Sequence, residues 1–280
     1  KQPPLPAEPA ALSGKGMVTK IAKYKITLEY DGTGYSGWQT QKNARSVQAT
    51  VLNAAREVFG TVADLQGAGR TDAGVHALGQ VAHIETEKRL PPQQVLFGLN
   101  DNLPASVNVL HVEPASPRFH ARHHARQRIY LYQISRCRTA FGKRYVWWIK
   151  DDLDTAAMKA ACPLFVGMHD FVSFADKRFD KDTSTKVKVD AVELIDADDL
   201  CLIRVTGSHF LWKMVRRMVG VLAEVGRGNL DGRAIARMLQ HYSTEPARFT
   251  APASGLFLEQ VLYEGERPKP VKLPRSFPSF

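Results

Sequence analysis

The chain of 280 residues is 44 % apolar and carries a formal net charge of +10, enough length and core for one large or two ordinary domains. A pI near 9.6 points to a polyanionic partner, nucleic acid before membrane, and no apolar run approaches the ~20 residues that span a bilayer. There is no N-terminal apolar stretch leading to a cleavage site, and Cys137, Cys162 and Cys201 lack paired metal-ligand spacing. A reducing cytoplasm with inert thiols is therefore expected.

Residues 1–20 begin rich in Pro, Ala and Gly without a period and are expected to form a flexible extension. Tyr24–Tyr30 alternates like a strand. Ser46 is a plausible N-cap for a helix over Val47–Phe59, which Gly60 closes. Strands are expected at Thr61–Gln66 and Gln80–Glu85, then a helix from Pro91 to about Asn102 with proline in its first turn, then a strand at Ser106–Glu113. The order is β-α-β-β-α-β, the ferredoxin-like arrangement. After a boundary near Pro114–Pro117 the order recurs. Strand Arg128–Ser135 and helix Thr155–Val166 lead to strands Lys186–Ile195 and Leu200–Thr206, helices Phe210–Val225 and Asp231–Gln240, and strand Leu256–Tyr263. The predicted fold class is α+β: two ferredoxin-like (RRM-like) halves, residues 21–115 and 116–265, with antiparallel sheets joined around a central basic cleft. Residues 266–280, with Pro268, Pro270, Pro274 and Pro278, read as an extended Pro-rich tail.

Chemistry concentrates in the stretch Gly67 to His76. Three glycines and two alanines allow tight turns and close approach of a ligand, and Arg70, Thr71, Asp72 and His76 are the groups able to do polar chemistry. A carboxylate beside a guanidinium is expected to stay ionised, which makes Asp72 a candidate nucleophile or base. A plain hairpin loop, with Thr71 and Asp72 satisfying backbone donors, is the alternative.

Gly32-Thr33-Gly34-Tyr35-Ser36-Gly37 matches G-x-G-x-x-G. A dinucleotide loop must open straight into a helix, yet Trp38 to Asn43 intervene, so contact of Tyr35, Trp38, Lys42 and Arg45 with an RNA backbone is the better reading. Between Pro114 and Lys150 stand nine Arg and Lys residues and no Asp or Glu, interleaved with Phe119, Tyr130, Tyr132, Phe141, Tyr145, Trp147 and Trp148. Guanidinium groups bridge phosphates while rings stack on bases. His120, His123 and His124 lack a carboxylate or thiol at ligand spacing, so no metal is expected. Asp170 to Ser173-Phe174, followed by Lys177, Arg178 and Lys181, is a second candidate RNA-facing segment or a surface loop. In the helix expected from Phe210, the residues Phe210, Met214, Met218 and Leu222 share an apolar side, and Lys213, Arg216 and Arg217 cluster within about a turn.

Several of these strings resemble motifs of the TruA family of tRNA pseudouridine synthases. The most specific is Gly69-Arg70-Thr71-Asp72-Ala73-Gly74-Val75-His76, joined by Asp31 to Tyr35 with Gly37-Trp38-Gln39, Phe119-His120-Ala121-Arg122, Tyr130-Leu131-Tyr132, Phe210 to Gly220, and Gly255-Leu256-Phe257-Leu258. The resemblance covers nearly all of residues 21–265. It implies that Asp72 is the catalytic nucleophile and that Arg216 pairs with it. Arg70 fills the space of a flipped base or holds a phosphate, Tyr130 packs on the target uracil, and Leu256 lines the uracil pocket. Tyr35, Trp38, His76 and Arg122 fall within matched strings as substrate contacts. The family more often has another basic residue before the tyrosine pair, so the resemblance assigns Arg128 no role. It further implies uridine isomerisation in the anticodon arm of tRNA, at tRNA positions 38, 39 and 40, by a homodimer that needs no cofactor. Two rivals remain in view. A non-catalytic RRM-like RNA-binding protein predicts an RNP1-like string, which is not found; a nucleotide-dependent oxidoreductase rests on the Gly32 loop alone.

Overall fold

The computed structural model describes residues 21–176 and 184–271. The extension expected over residues 1–20, the cations Lys177, Arg178 and Lys181, and the end of the Pro-rich tail lie outside them. The elements run β1 (Ala22–Tyr30), α1 (Val47–Phe59), β2 (Asp64–Gly67), β3 (His76–Thr86), α2 (Pro92–Asn102), β4 (Val107–Pro114), β5 (Gln127–Ser135), β6 (Trp147–Trp148), α3 (Thr155–Ala161), β7 (Gly167–Asp170), β8 (Lys186–Ala197), β9 (Leu200–Gly207), α4 (Met214–Gly226), α5 (Gly232–Gln240), α6 (Glu245–Arg248) and β10 (Leu256–Leu262). The fold is mixed α+β: among the described residues, six helices and one open, mostly antiparallel ten-stranded sheet.

Local chemistry accounts for the element ends. β1 buries every second residue, from Ala22 to Tyr30, as the two-residue period of a strand with one covered face requires. The Ser46 side chain accepts the Ala49 N–H at 3.2 Å, and Gly60 ends α1 at φ 80°, a backbone state that suits glycine. Helix α3 tightens at Cys162–Phe165 into a 3-10 turn where Pro163 enters, so the helix expected to reach Val166 is shorter. α4 begins at Met214 rather than Phe210 because Lys213 takes the left-handed conformation, φ 62°, and breaks the helical run before it. β6, β7 and α6 are too short to leave a periodic signal.

The sheet order is β4-β1-β3-β10-β5-β9-β8-β7, with β2 also on β3 and β6 on β5. β3 matters most for the site. β2 ladders with it at Ala82–Glu85, and β10 joins it, in parallel, only at His76 and Ala77. In between, the buried Gln80 side chain stands in for a strand, exchanging hydrogen bonds with Gly69, and Val81 accepts the Ala68 N–H. The loop from Ala68 to Val75 leaves the sheet at this divergence. One continuous apolar core joins β1 and β3 to α1 and α2 and the later strands to α4. A smaller cluster around Leu131, Leu202 and Phe257 is separate from it.

Candidate active site

The loop between β2 and β3 is clamped by the segment after β1. The Trp38 N–H donates to Thr71 O at 3.0 Å and the Gly74 N–H to Tyr35 O at 3.3 Å. The Tyr30 and Thr71 hydroxyls are 2.8 Å apart, and the Gly32 N–H donates to His76 Nδ1 at 3.0 Å. The fit is tight enough to exclude side chains: a Cβ on Gly37, already at φ +96°, would lie 2.5 Å from Thr71 O, and one on Gly32 would lie 2.0 Å from Val75 O. Asp72 is thereby presented on a backbone with little freedom.

Its carboxylate meets Arg216 of α4, Oδ2 to Nη1 at 3.3 Å, with the two side chains 19 % and 15 % exposed. Arg216 is aimed by its own second contact, Nε donating to Ala251 O at 2.7 Å. Burial raises the Asp72 pKa above its ordinary 3.8; the charges of Arg216 and Lys213 and the Trp212 indole pull it back only in part. The charges acting on the carboxyl are those of Arg216 and Lys213 rather than that of its sequence neighbour Arg70. The opposing cation is Arg216, 144 residues away, and desolvation outweighs it. Arg70 faces elsewhere, lining with Arg122 a polar cavity of about 320 Å³.

Tyr130 lies on β5 opposite Leu258 of β10. Its ring meets Phe210 edge-on, with centroids 5.2 Å apart, and a Cβ on Gly69 would come within 3.8 Å of its hydroxyl. Burial first, and the nearby Asp72 charge second, push its phenol pKa up. Leu256, buried, opens β10 opposite Tyr132. Asp72, Arg216 and Tyr130 therefore form one cluster drawn from the β2–β3 loop, α4 and β5, and Tyr132, opposite Leu256, also feels the Arg216 charge.

Three residues expected to contact RNA are placed differently. Tyr35, Trp38 and His76 are 4 %, 1 % and 1 % exposed. The Tyr35 hydroxyl is shared with Ser106 and Arg45, and Trp38 lies flush under Gly67. The His76 Nδ1 accepts from Gly32, so its Nε2 carries the proton to Arg144 O at 3.0 Å. The ring stacks on Phe257, and burial lowers its pKa. A loop that stands off the sheet needs a small core of its own, and these side chains supply it.

Asp64, His83 and Glu85 place their ligand atoms within 4.8 Å of one another, but their donor atoms are already engaged. The His83 Nδ1 accepts the Ala121 N–H, so Nε2 carries the proton toward Asp64 Oδ2 and has no lone pair for a cation. Glu85 is held by Lys23 at 2.5 Å.

Sequence reading counted Arg128 in the basic stretch but gave it no role. Its guanidinium, on a residue only 9 % exposed, donates to four carbonyls: Ala125 at 3.0 Å, Ser208 at 2.8 Å, Ala68 at 3.0 Å and Arg122 at 2.8 Å. It ties the root of the Asp72 loop to the turn before β5 and to the end of β9. Gln80 was passed over. Neither carries a local signal for this role: Gln80 meets Gly69 eleven residues away, and the Arg128 partners that fix the loop, Ala68 and Ser208, lie 60 and 80 residues away.

A family model described as tRNA pseudouridine synthase matches residues 26–124 and 161–264. The chain belongs to the tRNA pseudouridine synthase family. Similar relatives carry the name tRNA pseudouridine synthase A. That of Syntrophotalea carbinolica is 41 % identical over 241 residues, covering 85 % of this chain and 95 % of its own. That of Levilactobacillus brevis is 37 % identical over 262 residues, covering 91 % and 99 %. Bacillus cereus has a tRNA pseudouridine synthase A 2 that is 36 % identical over 241 residues, covering 85 % and 98 %. Membership gives the chain an isomerase class. It also accords with the chain's excess of positive charge.

Proposed function

We propose that this chain isomerises uridine to pseudouridine in the anticodon arm of tRNA, at tRNA positions 38 to 40, with Asp72 as the reacting group. The observation that carries this reading is the meeting of Asp72 and Arg216, from opposite ends of the chain, at 3.3 Å beside the ring of Tyr130. In the reaction the bond between uracil N1 and ribose C1′ breaks, the base turns, and C1′ bonds to C5. N1 gains a proton and C5 loses one, so no atom is added. The target base must first leave its stack at a cost of a few kcal/mol. Tyr130 and Leu256 then hold it, and Asp72 attacks the sugar or the base or takes a ribose proton. Arg216 favours the anion in a place where water is scarce. Arg70 answers the displaced strand.

The architecture proposed with this function is two ferredoxin-like halves, residues 21–115 and 116–265, with a basic cleft between them. Strand orders β4-β1-β3-β2 and β10-β5-β9-β8, each set joined by two helical stretches, support it. A homodimer working in the cytoplasm, with one tRNA reaching across both subunits, completes the proposal. The test is Asp72→Asn assayed on an anticodon-arm RNA: retained binding with no release of the uridine C5 proton supports the reading. Wild-type turnover in Asp72→Asn refutes the site, and absence of C5-proton release by the unaltered protein refutes the function.

A further inference from the structure

Beside the loop that carries Asp72 lies the polar cavity of about 320 Å³ that Arg70 and Arg122 line with Trp38, Gln39, Gln48 and Gln66. Its volume is at the small end for a ligand site, and its walls are already built. The buried Trp38 side chain supports the wall from beneath, so close under the backbone that a Cβ on Gly67 would lie 2.5 Å from the ring. Gln48 is a strut rather than a reader: its amide oxygen accepts from the Gln39 side chain at 2.9 Å and the Thr40 N–H at 3.0 Å, and its nitrogen donates to Leu65 O at 2.8 Å.

The groups left over have a definite polarity. The nitrogen of Gln39 is spent on Gln48, and that of Gln66 on Asp64. Their amide oxygens, and the guanidinium heads of Arg70 and Arg122, enter no hydrogen bond or ion pair among the described residues. The lining therefore offers two acceptors and two cations. Asp64, also in the lining, is taken up by Gln66 and His83. The two cations are also held in register. The same nitrogen of Arg128, Nη2, donates to Ala68 O at 3.0 Å and to Arg122 O at 2.8 Å, clipping the loop that carries Arg70 to the turn that carries Arg122.

We infer that this cavity is a subsite for the nucleotide adjacent to the target uridine, with a phosphate between Arg70 and Arg122 and the base edge against the Gln39 and Gln66 amides. Arg70 lies two residues from Asp72, within about 7 Å along the backbone, so a strand that delivers a base to Asp72 passes the mouth of the cavity. Paired arginines suit phosphate oxygens, and amide oxygens suit the N–H donors of a base edge. The subsite grips the strand while the target base is out of its stack.

The inference rests on the proposed reaction, and the test separates the two. Anticodon-arm RNAs are prepared with an abasic ribose at the 5′ or the 3′ neighbour of the target uridine, and C5-proton release is measured with the unaltered protein and with Gln39→Ala/Gln66→Ala. The unaltered protein is expected to lose about tenfold in kcat/KM on one abasic RNA, through KM, corresponding to ~1.4 kcal/mol. The double variant is expected to lose a similar factor on intact RNA and less than about twofold more on that abasic RNA. Arg122→Gln, at an exposed position, is expected to reduce the salt slope of RNA binding by about 0.7, one phosphate contact on a single strand. Equal abasic penalties in both proteins at both neighbours, or an unchanged salt slope in Arg122→Gln, overturn the subsite. Failure of the unaltered protein to turn over intact RNA overturns the reaction instead.

Discussion

Arg128→Met takes away a buried guanidinium whose four hydrogen bonds all end on backbone carbonyls, those of Ala68, Arg122, Ala125 and Ser208. Hydrogen bonds to a charged group contribute about 1.5–3 kcal/mol each, so the gross loss is on the order of 6–12 kcal/mol. Against this stands the cost of keeping the cation out of water, several kcal/mol; burial lowers the Arg128 pKa for that reason. Methionine fills the aliphatic volume but leaves the carbonyls without donors. The net destabilisation expected is about 3–5 kcal/mol, the range found when one member of a buried polar arrangement is removed. At roughly 2–4 °C per kcal/mol for a chain approaching this size, Tm should fall by about 6–20 °C. Thermal unfolding followed by circular dichroism measures it. Turnover well below the new Tm should fall too, because Ala68 anchors the loop that bears Asp72. Arg128→Lys keeps the charge, but its three donors on one nitrogen cannot span four carbonyls, so an intermediate Tm is expected. A Tm within about 2 °C of the unaltered protein in Arg128→Met would refute this account of the loop.

The remaining predictions concern the Asp72 carboxyl. Its folded pKa lies above the unfolded value of 3.8, so its contribution to stability is fully present below 3.8 and is lost as pH rises through the folded pKa. Asp72→Asn, inactive, should therefore melt higher than the unaltered protein near neutral pH, with the difference shrinking to nothing below the unfolded pKa; a lower Tm at neutral pH would contradict it. Arg216→Met removes the cation that pulls the Asp72 pKa down, so the acid limb of the kcat/KM profile should move to higher pH. An acid limb that stays in place would mean that Arg216 does not act on the carboxyl.

Much of the frame was legible because it rests on local periodicity and turn chemistry. β1 could be read from its alternation, α1 from Ser46 and Gly60, and β5, β9 and β10 from apolar runs, each within two residues of its observed ends, whereas β3 begins at His76, four residues before the run expected from Gln80. The site was legible only in part. Asp72 stood out because its loop holds few polar groups, and Arg216 came from resemblance. Its position 144 residues along the chain gives periodicity nothing to register. The aromatic residues of the Gly32 loop misled for a physical reason: Tyr35 and Trp38 in a polar segment suit base stacking and loop packing equally. Only their burial separates the two. The burial that raises the Asp72 pKa left no mark in the sequence, because it comes from segments far along the chain, and Arg70, adjacent in sequence, lines a cavity with Arg122 instead.

The placement of the carboxyl follows from how the strands meet. An antiparallel sheet satisfies its backbone by continuous ladders, and a continuous ladder leaves no opening for a ligand. Here β10 joins β3 over only two residue pairs and β2 takes over five residues later. The backbone between them is met by a glutamine side chain and by the loop itself. The loop can stand away from the sheet because Arg128, Trp38 and His76 give it the contacts a strand partner would have given. Those contacts also carry Asp72 to the one place where α4, anchored far along the chain, can lay Arg216 against it. A point change that closed the divergence between β2 and β10 would leave both side chains present and still separate Asp72 from Arg216.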